Sequence, residues 1–212
     1  NWGSQLEKIN ESPANIISPK TKIKTSFLYP TMTPNGEIIV LKTGLGNVPT
    51  IVKIGSINTE LKKISRSANL FGYHSNGTHA VWSAYDPDKR WTKQSWANIR
   101  ILDIDTGQLR TITSKKRLFN PNISQNNKLI AAVSFSETRQ CSLMIMDSET
   151  GKIIDQVEAP NQGLIMYPSW SNDGCEIVFT SQKYRGRAIY IYDREKRKFE
   201  TLKAESWTEI FK

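Results

Sequence analysis

The sequence predicts an all-β fold, a β-propeller made of four-stranded antiparallel blades. Three observations lead to this prediction: a turn phrase occurs four times along the 212 residues, an apolar strand follows each copy, and no segment shows the periodicity of a helix. The copies recur at intervals of about 40–50 residues, which is the spacing of propeller blades. A β-sandwich also contains many short strands, but it does not repeat one turn phrase at every fourth strand.

The turn phrase ends in Gly in three copies and in Asn in the other. These two residues accept positive φ most readily, so each phrase predicts a tight turn between two strands. In the second copy His74 stands where the other copies carry Ser or Thr, and we expect a hydrogen bond within the turn there. The copies occupy residues 30–36, 71–77, 121–127 and 168–174.

Three further strands follow each turn. The first is a continuous apolar run, as at residues 129–133, which is typical of a strand covered on both faces. The next ends in Asp in three units, and the last alternates polar and apolar residues, as an outer strand with one face in water does. The predicted blades occupy about residues 29–65, 70–113, 118–158 and 165–203 of a propeller domain at 25–212, after a leading segment or linker at 1–24.

The phrase Pro-x-x-Ser-Pro-Asp-Gly, an apolar strand, the pattern aliphatic-x-aliphatic-x-Asp and a Thr-Gly turn together resemble the TolB-like β-propeller repeat of bacteria, a WD-repeat-like unit. The match is closest at residues 168–174 and 101–107, and Phe71, His74 and Asn127 depart from it. The resemblance implies a propeller that serves as a binding scaffold or as the accessory domain of a peptidase, in the periplasm or envelope of a bacterium.

The number of blades in the complete ring is left open by the sequence. Propellers have 4 to 8 blades, and four blades account for nearly all residues after 28. Residues 206–211 resemble the opening of a further blade, which indicates a piece of a larger propeller. The alternative is a small ring in which residues 22–28 or 206–211 supply a missing strand.

Composition places the chain among globular proteins, with 38% apolar and 23% charged residues. The net charge of +9 suits an anionic partner, yet the Lys and Arg residues lie in small clusters beside predicted turns. We therefore predict a solvated rim that keeps sheet edges from pairing, with no nucleic-acid partner and no membrane span. Cys141 and Cys175 form no disulfide framework and are predicted to be small buried apolar residues.

No group of residues predicts an active site or a metal site. The segment that starts at Asp103 begins like a calcium loop, but Ser114 stands at its twelfth position, where such a loop needs Glu. His74 and His79 lack the spacing of a zinc site, and neither a Gly-x-Ser-x-Gly elbow nor a Gly-rich phosphate loop occurs. The sequence therefore predicts no enzyme activity, no metal and no cofactor.

The connection at residues 84–96 of the second unit is longer than the corresponding connections of the other units. Arg90 lies beside Trp91, and Trp96 follows closely. Because Trp and Arg dominate binding hot spots, we predict a binding surface here. The alternative is that Trp91 and Trp96 fold back and cap the core of the blade. Connections alternate between the two faces of a propeller, so the predicted surface also takes in Arg139, Tyr184 and Arg185 from the corresponding loops of the later units.

The function predicted from these features is non-enzymatic: a scaffold that binds a protein or peptide through the face with the long connection. Three alternatives stay open. An accessory propeller of a peptidase requires a hydrolase domain elsewhere in the reading frame. A carbohydrate or small-ligand propeller requires a central pocket with groups such as Tyr73 and Trp170. A binder of anionic surfaces requires the basic clusters to converge on one face.

Overall fold

The chain folds into four antiparallel sheets of four strands each, which confirms the predicted all-β class. The computed structural model describes residues 7–8, 15–16, 24–45, 48–64, 68–91, 93–183 and 186–206. The short pair β1 (Glu7–Lys8) and β2 (Asn15–Ile16) precedes the sheets. A short 3-10 helix (Pro160–Gln162) joins the last two sheets. The described part of the chain contains no helix of the length and hydropathy that crossing a membrane requires.

Each sheet takes its four strands in chain order, so every blade is a series of hairpins. The strands of blade 1 are β3 (Thr25–Met32), β4 (Ile38–Gly44), β5 (Thr50–Ile54) and β6 (Thr59–Lys63). Those of blade 2 are β7 (Ala68–Ser75), β8 (His79–Pro87), β9 (Ser95–Asp103) and β10 (Leu109–Thr111). Blade 3 consists of β11 (Leu118–Ile123), β12 (Leu129–Phe135), β13 (Cys141–Asp147) and β14 (Ile153–Glu158). Blade 4 consists of β15 (Leu164–Trp170), β16 (Glu176–Lys183), β17 (Gly186–Asp193) and β18 (Lys198–Ser206).

The core consists of apolar layers between neighbouring blades. One layer joins blades 1 and 2 through residues such as Leu41 and Trp82, and another joins blades 2 and 3. A third joins blades 3 and 4 around Phe179 and Tyr192. The middle strand β13 is buried from Cys141 to Met146, because it has a neighbouring blade on both faces. This two-sided burial explains why the middle strands are continuous apolar runs.

The first strand of every blade carries a bulge. In blades 1, 3 and 4 two residues face one on the second strand, and the first of the two has positive φ and precedes Pro. Pro is tolerated there because the ladder of hydrogen bonds is interrupted at a bulge. The residues with positive φ are Tyr29, Asn120 and Tyr167.

Blade 2 departs from this plan, and the departure corrects the prediction for His74. Four residues, 70–73, are bulged there, and the turn that follows is tighter than in the other blades. Asn76, rather than His74, therefore occupies the position of the turn hydroxyl, and its Oδ1 accepts from the backbone N–H of His79 at 2.9 Å. His74 instead bonds to the next blade, where its Nδ1 accepts from Ile123 N at 3.3 Å.

Both Cys residues are free thiols, and they differ in burial. Cys141 is buried at the start of β13, as predicted. Cys175 is exposed, so the prediction of a buried apolar role was wrong for it. It lies in the turn between β15 and β16, just before the apolar part of β16 begins.

Candidate binding cleft

The predicted binding loop joins β8 and β9 and is shorter than the sequence indicated. Both strands are nine residues long, so they absorb the ends of the stretch and leave residues 88–94 as the loop. Two backbone bonds close it: Asp88 N donates to the Gln94 carbonyl at 2.9 Å, and Gln94 N donates to the Trp91 carbonyl at 2.9 Å. The loop is therefore a hydrogen-bonded turn and has a defined shape.

Asp88 organises this loop through its carboxylate. Its Oδ1 accepts from the backbone N–H of Arg90 at 2.8 Å and of Trp91 at 3.3 Å. Its Oδ2 accepts from the indole Nε1 of Trp96 at 3.0 Å. Because these N–H groups favour the charged carboxylate, with that of Arg90 contributing most, the pKa of Asp88 is held below its ordinary value.

A cleft forms beside the loop because the outer strand of blade 2 is short. β10 has three residues and pairs only with residues 100–102 of β9. The chain segment that leads to blade 3 satisfies the rest of the β9 edge: Ile99 N donates to Thr113 Oγ1 at 2.8 Å, and Ala97 N donates to the Lys116 carbonyl at 2.8 Å. Between this segment and the loop lies a cleft of about 870 Å³, lined by residues 86–91, Gln94, Trp96, Asn98 and 111–115.

The two Trp residues of the cleft differ in their surroundings. The side chain of Trp91 is 67% exposed, so it does not cap the core of the blade. Trp96 is half-buried and is fixed by its bond to Asp88. The capping alternative is thus contradicted for Trp91, which presents a large apolar surface at the cleft.

The carboxylates of the cleft have hydrogen-bond donors as partners, whereas its exposed cations form no ion pairs in the described ranges. Asp86 accepts from Arg100 Nη2 at 2.5 Å and from Asn98 Nδ2 at 2.8 Å, and Asp88 is engaged within the loop. Lys89, Arg90 and Lys115 are exposed, and none forms an ion pair with any residue in the described ranges. The cleft therefore combines carboxylates that already accept hydrogen bonds with exposed cations that form no ion pair in the described ranges.

The structure does not gather all of the predicted surface into one cleft. Arg90, Trp91 and Trp96 line the cleft of blade 2, whereas Arg139 lines a separate pocket of about 350 Å³ between blades 3 and 4. Arg139 lies in the corresponding loop of the next blade, so the two sites face the same way but are distinct. Tyr184 and Arg185 lie outside the described residues.

A second pocket, of about 340 Å³, lies where the first strands of all four blades end. Its polar groups already bond to each other: Trp170 Nε1 donates to the Asn122 carbonyl at 3.0 Å, and Asn76 Nδ2 donates to the Ser124 carbonyl at 2.9 Å. Of the two residues predicted for a central pocket, Trp170 lines it, while Tyr73 does not line it and is buried in the apolar layer between blades 1 and 2. Burial raises the pKa of Tyr73 well above its ordinary value.

The basic clusters do not converge on one face. Lys115 to Arg117 lie in the segment between blades 2 and 3, on the side of the β8–β9 loop. Arg194 to Arg197 form the turn between β17 and β18, and consecutive antiparallel connections lie at opposite ends of a sheet. Two of these residues are also paired, Lys196 with Asp193 and Arg197 with Asp155. Because binding of an anionic surface requires the basic clusters to converge on one face, their positions argue against that alternative.

Groups of three or more His, Cys, Asp or Glu residues that could hold a metal ion do not occur among the described residues. The segment that resembled a calcium loop is a turn after β9, in which the Asp103 carboxylate accepts from Thr106 N at 2.8 Å. Asp103 therefore stabilises a turn, in agreement with the absence of Glu at the position where a calcium loop requires it.

Comparison with solved structures confirms the TolB-like propeller fold. A TolB-type protein from Agrobacterium tumefaciens superposes with a TM-score of 0.64 at 14% identity, over 92% of this chain and 70% of its own. TolB from Acinetobacter baumannii gives a TM-score of 0.64 at 17% identity, over 95% of this chain and 48% of its own. The β-propeller domain of the Trilobed protease from Pyrococcus furiosus gives 0.54 at 16% identity, over 87% and 59%.

Comparison of sequences gives no assignment. No protein-family model matches the chain, and no curated protein matches it either. At 14–17% identity the structural likeness shows the fold alone. This chain spans less than half the length of the Acinetobacter protein and about two thirds of the Agrobacterium one.

Proposed function

We propose that this chain is a non-enzymatic propeller scaffold that binds an extended segment of a partner protein in the cleft beside the β8–β9 loop. The observation that carries the proposal is Trp91, whose side chain is 67% exposed at the edge of a cleft of about 870 Å³. Binding sites are typically concave, and Trp and Arg are enriched among the residues that contribute most to binding.

The size and shape of the cleft suit a peptide segment. Its two walls are held by backbone hydrogen bonds, and the Asp88 carboxylate fixes the loop before any partner arrives. A site that is ordered in advance loses less conformational entropy on binding. Trp91 and Arg90 then supply the residue types that contribute most at protein interfaces.

The structural comparisons support a scaffold role without deciding it. The similar structures include TolB proteins and the propeller domain of a protease, and propellers of this fold serve several functions. We infer a place in the bacterial periplasm or envelope from the TolB likeness. The peptidase alternative predicts a hydrolase domain encoded in the same reading frame, and sequencing the gene on both sides of this region decides it.

The proposal is tested by selecting peptides from a random phage-displayed library on the folded chain. Enriched peptides should bind the wild type and lose about tenfold or more in affinity for the Arg90→Ala/Trp91→Ala variant. An exposed pair on blade 1, Ile57→Ala/Lys63→Ala, is the matched control, because it also removes one apolar side chain and one cation.

The outcomes of the selection separate the possibilities. Binding that survives in the control and fails in the Arg90/Trp91 variant, with both melting temperatures unchanged, supports the proposal. Peptides that bind both variants equally, or a library that yields no enrichment, overturn it.

A second candidate function, small-ligand binding, is favoured by the pocket at the ends of the first strands. It is lined by Trp170 and by polar side chains from all four blades. Binding of a short oligosaccharide there should quench Trp170 fluorescence, and the quenching should be absent in Trp170→Phe. The same quenching in both proteins would place the ligand elsewhere.

A further inference from the structure

We infer that the cleft beside the β8–β9 loop selects an acidic segment, one that carries carboxylates on both sides of an apolar side chain. This inference rests on the proposed function and names the chemistry of its partner. The juxtaposition that carries it is an exposed Trp91 flanked by Lys89, Arg90 and Lys115, all of which line the same cleft.

These cations differ from those Lys and Arg side chains of the protein that form ion pairs. In blade 1 Lys42 pairs with Glu60 at 3.0 Å and Lys53 with Glu37 at 2.9 Å. In contrast, Lys89, Arg90 and Lys115 form no ion pair with a carboxylate of the described residues, although Lys115 lies near enough to Asp88 to help lower the pKa of that carboxyl. A partner that brings carboxylates to them would gain attraction without breaking an existing ion pair.

The carboxylates of the cleft do not offset this attraction by repelling such a partner strongly. Asp86 is bonded to Arg100 and Asn98, and Asp88 accepts from two backbone N–H groups of its own loop and from the indole N–H of Trp96 in β9. Each negative charge is thus held close to donors or to a positive charge. Arg100 offsets the charge of Asp86, so the three exposed cations outweigh the remaining charge of Asp88 and the cleft presents a net positive field to an approaching segment.

The positions of the cations also suggest how the segment would lie. Lys89 and Arg90 belong to the loop, and Lys115 belongs to the opposite wall that leads to blade 3. A segment running along the cleft would therefore meet positive charge on both walls, with Trp91 available for one apolar side chain. Charges at such a rim raise the association rate and favour the acidic partner over others.

The inference is tested with two fluorescein-labelled peptides that share one sequence. The first alternates Glu and Ser around a central Phe, and the second has Gln at every Glu position. Fluorescence anisotropy on the whole chain should show binding of the Glu peptide, at least about tenfold tighter than the Gln peptide. Its dissociation constant should rise as NaCl is raised from about 50 to about 500 mM, because exposed charges are screened.

Charge reversal locates the effect on the protein. The variant Lys89→Glu/Arg90→Glu/Lys115→Glu should weaken binding of the Glu peptide by about tenfold or more. The control variant, Lys128→Glu/Lys152→Glu/Lys198→Glu, changes the net charge equally at exposed residues outside the cleft and should bind nearly as the wild type does.

Each result decides between the two proposals. Equal weakening by both triple variants would trace the attraction to net charge and overturn the inference. Failure of the Glu peptide to bind, or equal binding of the two peptides, also overturns it. The proposed function would stand in either case if the library selects other peptides that depend on Arg90 and Trp91.

Discussion

The indole N–H of Trp96 donates to the Asp88 carboxylate at 3.0 Å, and this bond ties the loop of blade 2 to the strand that forms the floor of its cleft. The same carboxylate accepts from the backbone N–H groups of Arg90 and Trp91. One side chain therefore fixes the position of both residues that the cleft presents to a partner. The shape of the site depends on this carboxylate more than on the exposed side chains themselves.

Replacing Asp88 by Ala should loosen the loop without unfolding the blade. In ¹H–¹⁵N spectra, the indole peak of Trp96 should move toward the position of a solvated indole, and the amides of Arg90 and Trp91 should exchange faster with solvent. Asp105→Ala removes an equal charge from an exposed turn of the same blade and should leave these signals in place. Unchanged Trp96 and Arg90 signals in Asp88→Ala would contradict the assigned role.

Trp91→Ala should change the free energy of unfolding by no more than about 0.5 kcal/mol, because its side chain is 67% exposed. Trp82→Ala is the contrasting variant, since Trp82 is 2% exposed and packs between blades 1 and 2. Its loss should cost about 3–5 kcal/mol. Urea unfolding of both variants measures the difference, and a large loss for Trp91→Ala would revive the capping role.

The blades could be predicted from the sequence because each one is built from neighbouring segments. A Gly or Asn turn fixes two adjacent strands, and the continuous apolar runs show which strands have a blade on both faces. These are local signals, and they repeat.

In blade 2 the side chain that caps the turn is that of Asn76, two residues later than the turn phrase predicts. The phrase alone could not predict this shift. There the bulge is longer and the turn is shorter, so the two differences compensate and the phrase still ends in Gly77. Only the register of β7 against β8 shows that Asn76 is the structural counterpart of Ser124 and Ser171.

The sequence predicted the loop that forms one wall of the cleft as a binding surface, but it did not predict the cleft itself, because no sequence pattern marks the second wall. The loop stood out through Arg90 and Trp91, but the opposite wall depends on where β10 ends and how Thr113 then bonds to β9. Arg139 was placed correctly in its loop, but it lies at a different pocket because each blade is rotated relative to the next.

Gly151 and Gly107 occupy the same turn in neighbouring blades, with φ of 69° and 70°. A Cβ at residue 107 would meet nothing within 4 Å, whereas a Cβ at residue 151 would lie 1.9 Å from the Ile112 carbonyl oxygen. Gly107→Ala should therefore cost about 1–2 kcal/mol, from backbone conformation alone. Gly151→Ala should cost about 1–3 kcal/mol more, because the turn of blade 3 must move away from blade 2. Equal costs in urea unfolding would show that this contact between blades contributes nothing.

Asn76 joins blades 2 and 3 and should be costly to remove. It is 7% exposed, and its Nδ2 donates to the Ser124 carbonyl at 2.9 Å and to Asn127 Oδ1 at 2.6 Å. Asn76→Ala should lower the free energy of unfolding by about 2–3 kcal/mol, because buried partners are left without bonds.

Asn76→Ser separates the two roles of this residue. A hydroxyl can still accept from His79 N, as the Ser124 hydroxyl accepts from Leu129 N in blade 3, but it cannot reach the next blade. The Ser variant should recover part of the loss. Complete recovery would mean that the bonds between the blades have no net effect on stability.

His74 makes the stability of the fold depend on pH between about 4 and 6.5. Burial lowers its pKa from 6.5 to about 4, because the charged imidazolium cannot be hydrated there. Below pH 6.5 the unfolded chain takes up a proton that the folded chain does not, so the free energy of unfolding falls as pH falls through this window. The loss is on the order of 3 kcal/mol at pH 4, and it levels off below that pH, where the folded imidazole is protonated as well. The pKa values of Asp103 and Asp155 are lowered from 3.8, so these carboxylates change the stability only below about pH 4, outside the window.

His74→Gln keeps an acceptor for Ile123 N and does not titrate, so its urea midpoint should vary much less between pH 4 and 6.5. A slope as steep as that of the wild type would assign the pH dependence to another group.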